Sequence, residues 1–114
     1  MPCIQTKVNV KLPQETERSI KAKLGEAIAL IPGKSENWLM LTFEDQCRIW
    51  FRGEDSAPAA FVEVKIYGKA PGAVYDKLTA RITEILGEEL GIAADHIYVK
   101  YEEVAHWGWN GSNF

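Results

Sequence analysis

Few groups in this 114-residue chain are arranged for chemistry, and the most distinctive is a backbone one. The chain opens Met1-Pro2-Cys3. Methionine is commonly removed ahead of a small residue such as proline, which leaves Pro2 as a free secondary amine. An α-amino group titrates near pH 8, and burial or a neighbouring cation disfavours its charged form. A base poised near neutrality suits proton abstraction from the carbon next to a carbonyl. An unprocessed Pro2 nitrogen is an amide and has no such capacity. Many chains begin Met-Pro, so the dipeptide alone assigns nothing.

The other candidates are weaker. There is neither a glycine-rich phosphate loop nor a nucleophile elbow. His96 and His106 stand ten apart with no cysteine pair beside them, so they are read as ordinary surface or packing histidines and no metal is implied. Cys3 lies on a predicted strand and reads as a small packing residue. Glu88-Glu89 and Glu102-Glu103 read as solvated faces.

Pro2 must be positioned by the elements around it, and these form an internal repeat. Residues 3–45 align with 61–103 at a shift of 58 without a gap. Seven of the 43 aligned positions are identical, among them Lys7/Lys65, Pro13/Pro71, Gly33/Gly91 and Glu44/Glu102. That is about two and a half times the roughly 6–7% that average composition gives by chance. The shared apolar periodicity is stronger support. Alternation over Ile4–Val10 predicts a strand. The stripe Ile20, Leu24, Ala27, Ile28, Ile31 predicts a helix opened near Pro13 and stopped by Pro32-Gly33. The second helix is predicted over about 72–90, with Gly91 as its stop. Each half thus reads strand, helix, strand, and parallel strands need a crossover of this kind.

Two such units sharing a sheet give an α+β fold: a four-stranded mixed sheet with both helices on one face, in a single domain over 1–114. Arg48-Ile49-Trp50-Phe51, in the link between the halves, reads as a short extra strand before a turn at Gly53-Glu54-Asp55. The uncovered sheet face and the aromatic tail around Trp107, Trp109 and Phe114 read as apolar surplus, to be buried in a cyclic oligomer.

Composition bounds the function. At 46% hydrophobic and 25% charged the chain is an ordinary globular one, long enough to fold without disulfides or metal. A formal charge of −3 with scattered basic residues argues against nucleic acid as a partner. No apolar run is long enough to span a membrane, and no basic segment precedes an apolar start. Two cysteines, Cys3 and Cys47, suit a reducing cytoplasm, which is the expected location.

Met1-Pro2 before a strand, Pro32-Gly33-Lys34 after the first helix, Tyr67-Gly68-Lys69 after the third strand and the ending Gly108-Trp109-Asn110-Gly111-Ser112-Asn113-Phe114 together resemble the macrophage migration inhibitory factor family, which includes D-dopachrome tautomerase. The resemblance covers essentially the whole chain. It implies a homotrimer of duplicated β-α-β units, with a keto–enol tautomerase site at each subunit interface and no cofactor. Pro2 then matches the catalytic base, and Lys34 the lysine that holds the substrate carboxylate. Tyr67 stands where a backbone N–H contacts substrate, with Ile66 before it in place of a usual serine. Tyr98 matches a tyrosine supplied by the neighbouring subunit. Lys100 replaces an asparagine and is closer to the basic residue of D-dopachrome tautomerase. Trp109 and Phe114 match walls of the pocket mouth. Trp107 replaces a smaller aliphatic, which with Tyr67 implies a narrower or reshaped pocket. The stretch Ala57-Pro58-Ala59-Ala60 lacks the Cys-x-x-Cys of the mammalian cytokine, so no thiol–disulfide oxidoreductase activity is implied.

Each of these residues also has a plainer role. Lys34 suits a helix C-terminus, Tyr98 and Lys100 suit an interface, and the tryptophans suit packing. The expected function is tautomerisation of small α-keto or enol carboxylates, phenylpyruvate-like in class. The alternative is a cytokine-like interaction protein with vestigial activity, a protein receptor as partner and release without a classical signal peptide.

Overall fold

The computed structural model describes all 114 residues. The chain runs β1 (Pro2–Val8), α1 (Gln14–Ala27), β2 (Met40–Glu44), β3 (Ala60–Tyr67), α2 (Gly72–Leu90), β4 (Ile97–Val104), and a short hairpin of β5 (Gly108–Trp109) and β6 (Ser112–Asn113). The four long strands form one mixed sheet in the order β2-β1-β3-β4. β1 is parallel to β2, β3 is parallel to β4, and the two units meet antiparallel through β1 and β3. This is the α+β arrangement expected.

The shift of 58 also relates the elements. β1 and β3 start at Pro2 and Ala60, and α1 and α2 at Gln14 and Gly72. Pro13 and Pro71 are both N-caps in extended conformation, with φ −61° and −63°. A proline there loses no helix hydrogen bond, so both repeats can open their helix in the same way. Short 3₁₀ turns at Glu36–Trp38 and Ala94–His96 occupy equivalent places before β2 and β4.

One face of the sheet makes the core. Ile4 and Val8 of β1 and Val62, Val64 and Ile66 of β3 pack with Ile20, Leu24 and Ile28 from the first helical segment and Leu78, Ile82, Ile85 and Leu86 from the second. α2 ends at Gly91, whose φ of +66° is left-handed, and its N–H caps the Gly87 carbonyl at 3.0 Å. A side chain in that conformation costs about 1–2 kcal/mol. Gly91→Ala is therefore expected to lower stability by about that amount, which urea or guanidinium unfolding measures.

Two expectations need correction. The segment Arg48–Phe51 forms no strand. Phe51 and Glu54 instead close a tight turn by exchanging backbone hydrogen bonds at 2.8 and 3.1 Å, with Arg52 and Gly53 at positive φ.

The open face of the sheet is not apolar either. Gln5, Glu63, Lys65, Lys100 and Glu102 occupy its middle, and Met40, Phe61 and Tyr98 its margins. The Lys65 ammonium donates to the Gln5 carboxamide oxygen at 2.6 Å. Lys100 lies 3.0 Å from Glu102 and 3.8 Å from Glu63. Opposite charges at neighbouring ladder positions compensate one another, so the face tolerates cover without being greasy.

Candidate active site

Pro2 is buried at the start of β1, in register with Ile66 on β3, while its neighbour Cys3 pairs with Met40 on β2. Three further elements converge on this corner. Gly33 takes φ +80° after Pro32 and turns the chain so that Lys34 reaches the end of β3. Its ammonium donates to the Tyr67 carbonyl at 2.9 Å. Lys34 is thus directed to the β3 terminus and not to the carbonyls of the preceding helix. The Tyr67 N–H donates to the Met1 carbonyl oxygen at 3.0 Å. Burial lowers the Met1 amine below its ordinary pKa of 8.0, and the adjacent Lys34 charge lowers it further.

The tail supplies the walls. Asn110 and Gly111 both take positive φ, at 53° and 85°, which is the requirement of a two-residue type I′ turn. A Cβ on Gly108 would come within 2.9 Å of the Asn113 side-chain oxygen, so glycine here leaves room for that amide. The Phe114 N–H donates to the Trp107 carbonyl at 3.0 Å and closes the hairpin. The Gly-Trp-Asn-Gly-Ser signature is therefore a turn specification that aims Trp109 and Phe114. Their rings are near-parallel at 6.4 Å; Phe114 lies 5.5 Å from Tyr67, and Trp109 meets Trp38 edge to face at 5.1 Å.

Two clefts result. One, of about 570 Å³, is lined by Pro2, Cys3, Leu39, Met40, Trp107 and Trp109 among others. The second, of about 310 Å³, is lined by Gly33, Tyr67 and Phe114. Met1 and Trp38 line both. Trp38, Met40 and Cys3 were not among the residues expected to line a site. Nothing in their local spacing marks them, because the 3₁₀ turn that carries Trp38 reaches the cleft only through the fold. Burial raises the Cys3 thiol above its ordinary pKa, as befits a packing residue and not a nucleophile.

The expected residues divide into two groups. Pro2, Lys34, Tyr67, Trp107, Trp109 and Phe114 gather at this corner. The Ile66 side chain does not: it is 1% exposed, within the core. Tyr98 and Lys100 also lie elsewhere. Both are on β4, two strands from β1, paired with Phe61 and Glu63. Lys100 is three residues along β4 from Glu103, the partner of Ile66, which puts it about 10 Å along the sheet from Pro2's level. Tyr98 packs edge to face on Phe51 at 5.3 Å, beside a small apolar hollow with Trp50 and His96. The Glu102 carboxylate holds the Lys100 ammonium above its usual pKa.

Comparison with known proteins agrees with this architecture. The chain is 26% identical to macrophage migration inhibitory factor of Xenopus laevis over 116 residues, covering 100% of this chain and 99% of the relative. Among solved structures, it matches Leishmania major MIF2 at 38% identity with a TM-score of 0.93, over 100% of this chain and 97% of that one. The macrophage migration inhibitory factor homologue from Prochlorococcus marinus matches at 29% identity and TM-score 0.82, over 98% of each chain. The family model for macrophage migration inhibitory factor spans residues 1–114. With a whole-length family match and a 38%-identical relative of the same fold, the chain belongs to the macrophage migration inhibitory factor family.

Proposed function

We propose that the chain is a cofactor-independent keto–enol tautomerase of small α-keto and enol carboxylates, phenylpyruvate-like in class, acting as a homotrimer with Pro2 as general base after Met1 is removed. One observation carries this. The Tyr67 N–H and the Lys34 ammonium converge on Met1, the residue directly before the Pro2 nitrogen. Without Met1 the same two donors face the space in front of a secondary amine. A carboxylate there meets a cation and an N–H, and an aryl ring meets Trp38, Trp109 and Phe114. Pro2 then takes a proton from the carbon next to the carbonyl, the enolate oxygen takes one from water, the hydroxide left behind takes the proton from Pro2, and the reverse steps return the keto form. The test is phenylpyruvate tautomerisation by protein whose mass verifies Met1 removal. Folded, processed protein without turnover would instead support the cytokine-like interaction role, with a protein receptor as partner.

A trimer would reconcile the divided site, and that supports the reading. Tyr98 and Lys100 lie two strands from the Pro2 of their own chain, so a part for them in catalysis requires a neighbouring copy. Sedimentation is expected to give about three times the 12.8 kDa chain mass. A mass near one chain at micromolar concentration would contradict it. Mixing Pro2→Ala chains with Tyr98→Ala chains should restore part of the activity, since about a quarter of random interfaces pair two intact contributions.

Lys100 is expected to matter less than Lys34, because Glu102 and Glu63 offset its charge. Lys100→Asn should raise KM for carboxylates over their methyl esters by under about tenfold, below the full charge-assisted value. An unchanged acid-to-ester ratio would remove Lys100 from the site.

A further inference from the structure

α1 contains a buried glycine in its interior, Gly25, at a cost of about 1 kcal/mol against alanine. The reason lies outside the helix. Glu36, in the turn that carries Trp38, stretches back across α1 and lies on this residue. A Cβ on Gly25 would stand 2.6 Å from the Glu36 carboxyl carbon and 3.2 Å from its Cγ. The carboxylate is anchored there by Lys21 at 3.1 Å. At the near end of the same residue, the Glu36 carbonyl accepts the Leu39 N–H at 3.1 Å and closes the turn. The second repeat is an internal comparison. At the shift of 58, Gly25 corresponds to Thr83, Glu36 to Ala94 and Trp38 to His96. Where the turn residue has no reach, the helix keeps a side chain.

We propose that Glu36, seated on Gly25 and held by Lys21, is a positioning residue that fixes Trp38 as the partition between the two clefts and so sets how the site accepts an aryl ring. The ring-acceptance clause rests on the tautomerase function proposed above; the positioning of Trp38 does not. Trp38 is about half exposed and touches the tail through Trp109, so little besides its own turn restrains it. A clamp on that turn is the simplest source of a defined ring position.

The test uses the full processed chain and two readouts. The near-ultraviolet circular dichroism that depends on Trp38 is first defined as the part lost in Trp38→Phe. Gly25→Ala, which displaces the Glu36 carboxylate, and Glu36→Ala, which removes it without touching the helix, are each expected to lose most of that signal. Gly25→Ala should keep its far-ultraviolet spectrum and an unchanged or higher Tm, since alanine favours helix. In both variants KM for phenylpyruvate should rise several-fold, with kcat and the KM of a ringless α-keto acid unchanged. Retention of the Trp38 signal in either variant overturns the proposal. If the wild-type protein proves not to be a tautomerase, the dichroism still decides the positioning role.

Discussion

Processed protein carrying Pro2→Ala is expected to lose about 10²–10⁴-fold in kcat/KM for phenylpyruvate, the usual contribution of a positioned general base, while remaining folded. Alanine keeps a primary amine but gives up the ring that holds the nitrogen rigidly at the start of β1. Protein that retains Met1, or carries an uncleavable N-terminal extension, should lose more. Its Pro2 nitrogen is an amide, and its Met1 carbonyl occupies the Tyr67 N–H that a substrate oxygen would use. Both chemistry and binding are then blocked by one residue. The pH profile supplies the sign. The base works only when unprotonated, so the rate rises with pH through the amine's pKa. Burial and Lys34 both lower the Met1 amine one residue away, and the same two causes are expected to place this limb below the pKa of a free proline amine. If extended protein turns over phenylpyruvate as well as processed protein, Pro2 is not the base.

Replacing Lys34 is expected to have the second-largest effect. A charge-assisted contact is worth about 1.5–3 kcal/mol, so Lys34→Ala should raise KM for carboxylate substrates by about tenfold to a hundredfold. It should raise KM for the methyl esters far less. Removing a cation beside the amine also lets the base hold its proton more readily, so the acidic limb of the pH profile should move upward. Lys34→Gln separates charge from structure, because the amide can still donate to the Tyr67 carbonyl that Lys34 now holds at 2.9 Å. The glutamine variant should keep the Tm and lose the acid-over-ester preference. An unchanged preference in Lys34→Gln would reduce Lys34 to a brace for the end of β3.

The four long strands and the two helices were legible in local residue types. Helix ends followed from Pro13, Pro71 and Gly91 because these residues act on their own backbone. The repeat followed from apolar spacing. The hairpin was equally legible, since Asn110-Gly111 between aromatics is a strong type I′ signal, yet as a mere aromatic tail it conceals where Trp109 and Phe114 point. The polar middle of the open face was also written in Gln5, Glu63, Lys65, Lys100 and Glu102. It emerges as charge-compensated only once the register sets these residues side by side.

Other features depended on contacts between residues far apart in the chain. Periodicity says that a strand has an apolar face; it does not say which strand lies next to it. The antiparallel meeting of β1 and β3 puts Pro2 at Ile66 and brings Tyr67 to the N-terminus, and no local signal encodes that pairing. The same order leaves Tyr98 and Lys100 two strands away from Pro2, at a distance that local spacing does not reveal. Glu36 crosses α1 at a residue without a side chain, a complementarity between positions eleven apart that neither displays alone. Backbone preferences act within a few residues and can be read in order; the site is made by side chains that meet only after the sheet has been assembled.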